Sequence, residues 1–113
     1  MTEAITVAAY LDTTDEELLQ RTLIEAADAL GYLTHWTPDS RRTHAGHPDV
    51  TICGYGLYLK IELKTAKGRI RPMQIVWLRE LRQAGIDARL VRPADLDGLL
   101  DLLRRVAHGG RTR

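Results

Sequence analysis

Apolar and polar residues switch between helical and strand periods along this chain, and each switch marks an element. Leu19, Leu23, Ala26, Ala27 and Leu30 recur at helical spacing before Gly31 supplies a stop, and Thr14-Asp15-Glu16-Glu17 has the Ser/Thr-x-x-Glu form of a capping box, so the pattern predicts a first helix over 14–30. Residues 32–37 alternate bulky and polar side chains, which suits a strand broken by Pro38-Asp39-Ser40. Residues 50–53 and 57–64 flank Gly54-Tyr55-Gly56 and read as a tight hairpin. Along its second strand Leu57, Leu59, Ile61 and Leu63 fall on one face and Tyr58, Lys60, Glu62 and Lys64 on the other. The apolar face must look into the core, and the charged face is expected to be bare.

Pro72 sits where a first helical residue would be, and Met73, Trp77, Leu81 and Ala84 make an apolar stripe ending at Gly85, which predicts a second helix over 72–84. A short strand follows at 88–91. Pro93 and Asp95 then open a third helix with Leu96, Leu99, Leu100, Leu103 and Val106 inward and Arg104 and Arg105 in its last turn. Residues 108–113 are expected to be a frayed basic tail. Residues 1–13 show no clear period and are read as an extension, an added edge strand or arm, so the folded unit is placed at 14–107.

The order is αβββαβα. Three strands joined by short connections form an antiparallel meander, and the helix at 72–84 lets the strands at 57–64 and 88–91 lie parallel through a right-handed crossover. The expected fold class is α/β, a mixed sheet flanked by helices.

Length and composition bound this picture. A chain of 113 residues with 44% apolar and 27% charged residues holds one core and not two. No apolar run reaches membrane-spanning length, so no membrane partner is expected. Residues 4–11 are apolar but lack the flanks of a signal peptide. Cys53 is the only cysteine, which rules out an internal disulfide and fits a cytoplasmic location. Charge is segregated: residues 1–39 hold one base against eight acids, and residues 40–113 hold fifteen bases against seven acids. A polyanionic partner for the basic part and a merely solvated surface explain that asymmetry equally well.

Candidate chemistry centres on Gly46-His47-Pro48-Asp49-Val50 and Ile61-Glu62-Leu63-Lys64. The hairpin is expected in the register that sets Asp49 opposite Glu62 and Cys53 opposite Tyr58, so that one face carries Asp49, Glu62 and Lys64 together; a one-residue slip would send Asp49 into the core. A hard divalent cation prefers carboxylate oxygens, and Asp49, Glu62 and the Leu63 carbonyl would supply three. The cation would acidify a water and offset charge on a phosphate, with Lys64 orienting that water or stabilising the same charge. A solvated strand face with cross-strand pairing is the competing explanation. Gln74, just after the basic connection at 68–71, is placed to hydrogen-bond a phosphate or a water. Arg41, Arg42, Lys67, Arg69 and Arg71 are candidate phosphate contacts. Trp36, Trp77 and Tyr32 could stack on bases, although Trp77 lies on an apolar stripe. Among His35, His44, His47 and Cys53 only His44-x-x-His47 has the close spacing of zinc ligands, so zinc is not expected.

These residues resemble the PD-(D/E)xK nuclease superfamily, and within it the small stand-alone VRR-NUC domains of phages and bacteria. The resemblance rests on Glu16-x-x-Leu19-Gln20, Leu30-Gly31-Tyr32, Asp39-Ser40-Arg41-Arg42, Gly46-His47-Pro48-Asp49, Glu62-Leu63-Lys64, Gly68 followed by Pro72-x-Gln74-x-x-Trp77-Leu78, and Arg92-Pro93-x-Asp95-Leu96. It implies a restriction-endonuclease-like core and a Mg²⁺- or Mn²⁺-dependent nuclease in a bacterial or phage-infected cell. Asp49, Glu62 and the Leu63 carbonyl would hold the metal and Lys64 would be catalytic. An acid from the first helix, Glu16 or otherwise Glu17, would stand near the metal. Two positions depart from the pattern: His47 replaces an aromatic or apolar residue before Pro-Asp, and Arg71 replaces a Ser or Thr cap before Pro72. The expected activity is endonucleolytic cleavage of DNA, with branched or structured DNA among the candidate substrates, by a homodimer. A non-catalytic DNA-binding or assembly module that kept the fold, and an enzyme acting on RNA, are the alternatives.

Overall fold

The hairpin closes on a two-residue turn, Tyr55 and Gly56, whose φ angles are 52° and 82°. Positive φ at both central positions gives the turn twist that matches paired strands, and it leaves Gly54 and Leu57 as the closing pair. In the computed structural model, which describes residues 16–37 and 46–111 except the side chains of 110 and 111, these strands are β2 (Val50–Gly54) and β3 (Leu57–Leu63). Cys53 stands opposite Tyr58 and Val50 opposite Ile61, the register expected from the alternation. β1 (Leu33–Trp36) pairs antiparallel with β2, and β4 (Asp87–Val91) pairs parallel with β3, so the sheet order is β1-β2-β3-β4. The three helices are α1 (Glu16–Leu30), α2 (Pro72–Gln83) and α3 (Pro93–Arg111). The fold is the mixed α/β arrangement in the order αβββαβα.

Period-two alternation gives the sheet two unlike faces. Val50, Ile52, Leu59, Ile61, Leu63 and Val91 are buried on one of them against Leu19, Leu23, Ile24 and Ala27 of α1 and Leu96, Leu99, Leu100, Leu103 and Ala107 of α3. Each such Leu or Ile contributes roughly 1.5–3 kcal/mol by leaving water, so this layer carries most of the stability. Both α1 and α2 stop in the same way. The Tyr32 N–H donates to the Ala27 carbonyl and Gly31 to Asp28, and likewise Ile86 to Leu81 and Gly85 to Arg82. Gly31 and Gly85 have φ of 97° and 86°, the left-handed conformation that this Schellman cap requires.

Three expectations are corrected. The face carrying Glu62 is not bare, because α2 lies over its β3–β4 part and Glu62 is only 2% exposed. Of the apolar stripe expected on α2, Met73 and Ala84 are exposed, while Trp77 and Leu81 are half-buried beside Gln74 and Val76, and the buried residue is Leu78. Gln74 joins the covered side of the helix, where its side chain meets Glu62 of β3. Thirdly, α3 does not end at Arg104 and Arg105, and the tail expected from His108 is helical as far as Arg111. The extension at 1–13, the capping residues Thr14 and Asp15, and Arg41, Arg42 and His44 lie outside the described residues.

Candidate active site

Continuing the β2–β3 register one step past Val50 and Ile61 brings Asp49 opposite Glu62. The Thr37 N–H donates to the Asp49 carbonyl at 3.1 Å, so the Asp49 backbone is turned to β1, while the Lys64 N–H donates to Val91 at 3.0 Å and turns the alternate residue Glu62 to β4. Asp49 and Glu62 therefore face each other without exchanging backbone hydrogen bonds, the kind of cross-strand pair whose side chains approach most closely. The first turn of α1 adds Glu16. One oxygen from each of Glu16, Asp49 and Glu62 lies within 4.8 Å of the other two. Glu17 points outward and pairs with Arg21 at 3.9 Å, so Glu16 is the α1 acid that joins the site.

The same alternation aims the Leu63 carbonyl at the β2 edge, at the point where the register would bring Pro48. Proline has no N–H to give, so the ladder leaves that carbonyl without a backbone donor there. A strand ending in Pro-Asp thus leaves the Leu63 carbonyl outside the β2–β3 ladder.

Burial and mutual repulsion shape the electrostatics. Loss of water, reinforced by the charges of Asp49 and Glu16 and opposed by Lys64, pushes the Glu62 carboxyl up to about 8. Asp49 is raised by burial, with Lys64 and His47 pulling it back, and Glu16 is raised by burial and by Asp49 against Lys64 and Arg71. Lys64 is therefore the common counter-charge of all three acids. Glu62 Oε2 accepts a hydrogen bond from Gln74 Nε2 at 3.1 Å, while Glu62 Oε1 is buried with no hydrogen-bond partner among the described residues. An acceptor stripped of water and left unpaired is costly, on the order of 1–3 kcal/mol, and a divalent cation held between three carboxylates would satisfy it. The donor set fits a hard cation such as Mg²⁺ or Mn²⁺.

The supporting structure around these acids is tightly built. Gly46 has φ of 85°, and a Cβ there would stand 2.5 Å from the Met73 backbone carbon. Only glycine lets the chain entering Pro48-Asp49 pass so close to the start of α2. His47 then packs edge-on against Trp77 with ring centroids 4.8 Å apart, so the departure at position 47 is accommodated by an aromatic contact with α2. At Arg71 there is no side-chain cap acceptor; the Gln74 N–H donates to the Arg71 carbonyl at 3.0 Å, and the Gln74 Oε1 reaches back to accept the Arg71 N–H at 2.8 Å.

Lys67, Arg69 and Arg71 are exposed on the connection between β3 and α2, which leaves the sheet at Lys64. Sequence reasoning missed what holds this connection. Arg92 Nη1 donates to the carbonyls of Thr65 at 2.8 Å and Gly68 at 2.7 Å, and the Arg92 N–H is itself capped by Asp95 at 2.9 Å. The pair Arg92-Pro93 is legible as a helix start; the reach of its guanidinium across the fold is not. Of the proposed stacking residues, Tyr32 is buried with its hydroxyl on the Leu103 carbonyl, Trp77 is taken up by His47, and Trp36 is exposed at the edge strand.

Comparison with known proteins adds to this geometry. The family model described as VRR-NUC domain matches residues 3–95. A solved structure titled "VRR_NUC domain" superposes with a TM-score of 0.65 at 24% identity, covering 79% of this chain and 97% of its own. A second, "VRR_NUC domain protein", gives a TM-score of 0.63 at 17% identity over 82% of this chain and 88% of its own. At such identities the likeness is one of fold. No curated protein matches.

Proposed function

Because the chain belongs to the VRR-NUC domain family, a nuclease domain of PD-(D/E)xK type, we propose that it is a metal-dependent DNA endonuclease working at Glu16, Asp49, Glu62 and Lys64. The observation that carries this reading is the convergence of three acidic oxygens within 4.8 Å, one of the three side chains holding a buried, unpaired oxygen. Lys64 acts on all three acids, with His47 beside Asp49 and Arg71 beside Glu16 as further positive charges, yet one Glu62 oxygen stays buried without a hydrogen-bond partner among the described residues.

Glu16, Asp49, Glu62 and the Leu63 carbonyl would hold Mg²⁺ or Mn²⁺. Such an ion, when bound, polarises the phosphate and makes a nearby water more acidic. Hydrolysis then forms a bond from the water oxygen to phosphorus and breaks the bond to the leaving sugar oxygen; the water gives up a proton and the leaving oxygen gains one. Lys64 serves this step as a positive charge beside the phosphate, where negative charge grows. Gln74 fixes the Glu62 carboxylate and so acts as a positioning residue. Lys67, Arg69 and Arg71, with Arg41 and Arg42, hold the backbone of the nucleic acid without reading its sequence. A homodimer would place two such sites for the two strands of a duplex.

The test is cleavage of plasmid and of labelled linear, branched and RNA substrates with Mg²⁺, Mn²⁺ or EDTA. Cutting of DNA that requires a divalent ion and is abolished in Lys64→Ala, with DNA binding retained, supports the reading. Binding without cutting under any metal would leave a DNA-binding module, and preferential cutting of RNA would change the substrate class.

A further inference from the structure

The α2-facing side of the sheet continues beyond the acids. The paired strands arrange its side chains in rows: Asp49 opposite Glu62, then His35 opposite Thr51 opposite Lys60, then Leu33 opposite Cys53 opposite Tyr58. Successive rows on one face are two residues apart, about 7 Å. That step is comparable to the separation of successive phosphates along an extended nucleic-acid strand.

This part of the face is open. α2 covers the β3–β4 side, and of the six residues in the two outer rows Thr51, Cys53 and Lys60 are half-buried while the other three are exposed. Leu33 is 75% and Tyr58 41% exposed, and His35 is exposed as well. The two rows carry a lysine and no carboxylate. The Lys60 ammonium donates to Thr51 Oγ1 at 2.9 Å, which fixes its position over the face, and it takes part in no ion pair among the described residues. A lysine has three donors, so two remain for another acceptor. One row farther along, an exposed tyrosine ring stands on a sheet surface, the arrangement on which unpaired bases stack.

We infer that the His35-Thr51-Lys60 and Leu33-Cys53-Tyr58 rows form a subsite for an unpaired nucleic-acid strand running from the acids across the open sheet. Lys60 contacts the phosphate next to the one at the acids, and Tyr58 stacks on a base. The inference rests on the nuclease reading only for which phosphate sits at the acids. Its occupant is a single strand because a paired base cannot lay its ring on Tyr58. Charge and continuity with the acid row argue for nucleic acid over an apolar partner.

The test is fluorescence anisotropy of a labelled oligothymidylate and of a blunt duplex, in EDTA so that nothing is cut. Tyr58→Ala is expected to weaken oligothymidylate binding about tenfold, while Tyr58→Phe stays near wild type and duplex binding does not change. Lys60→Met is expected to weaken the single strand similarly and to flatten the logarithmic salt dependence by roughly 0.7. Both side chains are partly exposed, and urea midpoints equal to wild type will show that the variants fold. The inference is overturned if Tyr58→Ala and Lys60→Met bind the oligothymidylate as wild type does, or if wild type does not bind it. Because no metal is present, the two readings fail separately. Loss of binding in the variants of a protein that never cuts keeps the subsite and removes the nuclease; cutting and binding unchanged in both variants do the reverse.

Discussion

Gln74 holds Glu62 with one end of its amide and the first turn of α2 with the other. Its Nε2 donates to Glu62 Oε2 at 3.1 Å and its Oε1 accepts the Arg71 N–H at 2.8 Å, so the helix start and the buried acid are set by one side chain. Gln74→Ala should therefore lose about 1–2 kcal/mol of stability in urea denaturation. Gln74→Glu separates the two roles. It keeps the acceptor for Arg71, and the proton that Glu62 retains below about pH 8 can bridge the two carboxyls, so it should match wild type near pH 5 and fall well below it at pH 9, where both are ionised. Wild-type stability at both pH values would mean that only the cap matters.

The acids make stability depend on pH in an unusual direction. Burial, with Asp49 and Glu16 nearby, pushes Glu62 up to about 8 from an ordinary 4.5, and Asp49 and Glu16 are shifted upward too. A raised carboxyl keeps its proton in the folded state after the unfolded chain has released it. Its contribution is complete below about pH 4.5 and is lost as pH rises through about 8. Metal-free protein should therefore lose stability on the order of a few kcal/mol between pH 5 and 9. Glu62→Gln should flatten the profile, and Mg²⁺ should stabilise more at pH 8 than at pH 6, because the ion displaces a proton. Urea midpoints across pH, with and without Mg²⁺, check all three; a flat wild-type profile would contradict them.

Gly46 is the narrowest point of the support. Gly46→Ala meets both a positive φ of 85° and a backbone carbon at 2.5 Å, so α2 must move away from the Pro48-Asp49 segment. A loss of roughly 2–4 kcal/mol in urea is expected, larger than for an exposed glycine such as Gly98, where a Cβ meets nothing within 4 Å. Comparable midpoints for Gly46→Ala and Gly98→Ala would show that the close approach is unimportant.

Arg92 ties the basic connection to the body of the fold through the Thr65 and Gly68 carbonyls. Arg92→Met should speed amide hydrogen exchange across residues 65–70 and raise KM for DNA several-fold while kcat changes less, since the bases on that connection lose their fixed place. Arg92→Lys should recover only part of the effect, because an ammonium does not reproduce the planar guanidinium. Unchanged exchange in Arg92→Met would remove this role.

Much of this was legible along the chain because it is local. Period-two alternation and the Tyr55-Gly56 turn fixed the hairpin register, and the register alone brings Asp49 to Glu62. Glycine stops at Gly31 and Gly85 fixed two helix ends. What could not be read depends on distant partners. Alternation puts Glu62 on a polar face, but its burial comes from α2 folding back over that face. Gln74 belongs to the covered side of α2 through its bond to a strand residue, a contact invisible to helical periodicity. The end of α3 was misjudged for another reason: Gly109 and Gly110 have poor helix propensity, yet the helix runs on through both to Arg111.

The most direct test of the acidic cluster as a metal site is calorimetric titration of Mn²⁺ into the wild-type protein, Asp49→Asn, Glu62→Gln and Glu17→Gln. Saturable binding to wild type and Glu17→Gln, weakened about tenfold or more in Asp49→Asn and Glu62→Gln, is the predicted result. Wild-type affinity in Asp49→Asn, or no saturable binding to the wild-type protein, would contradict the account.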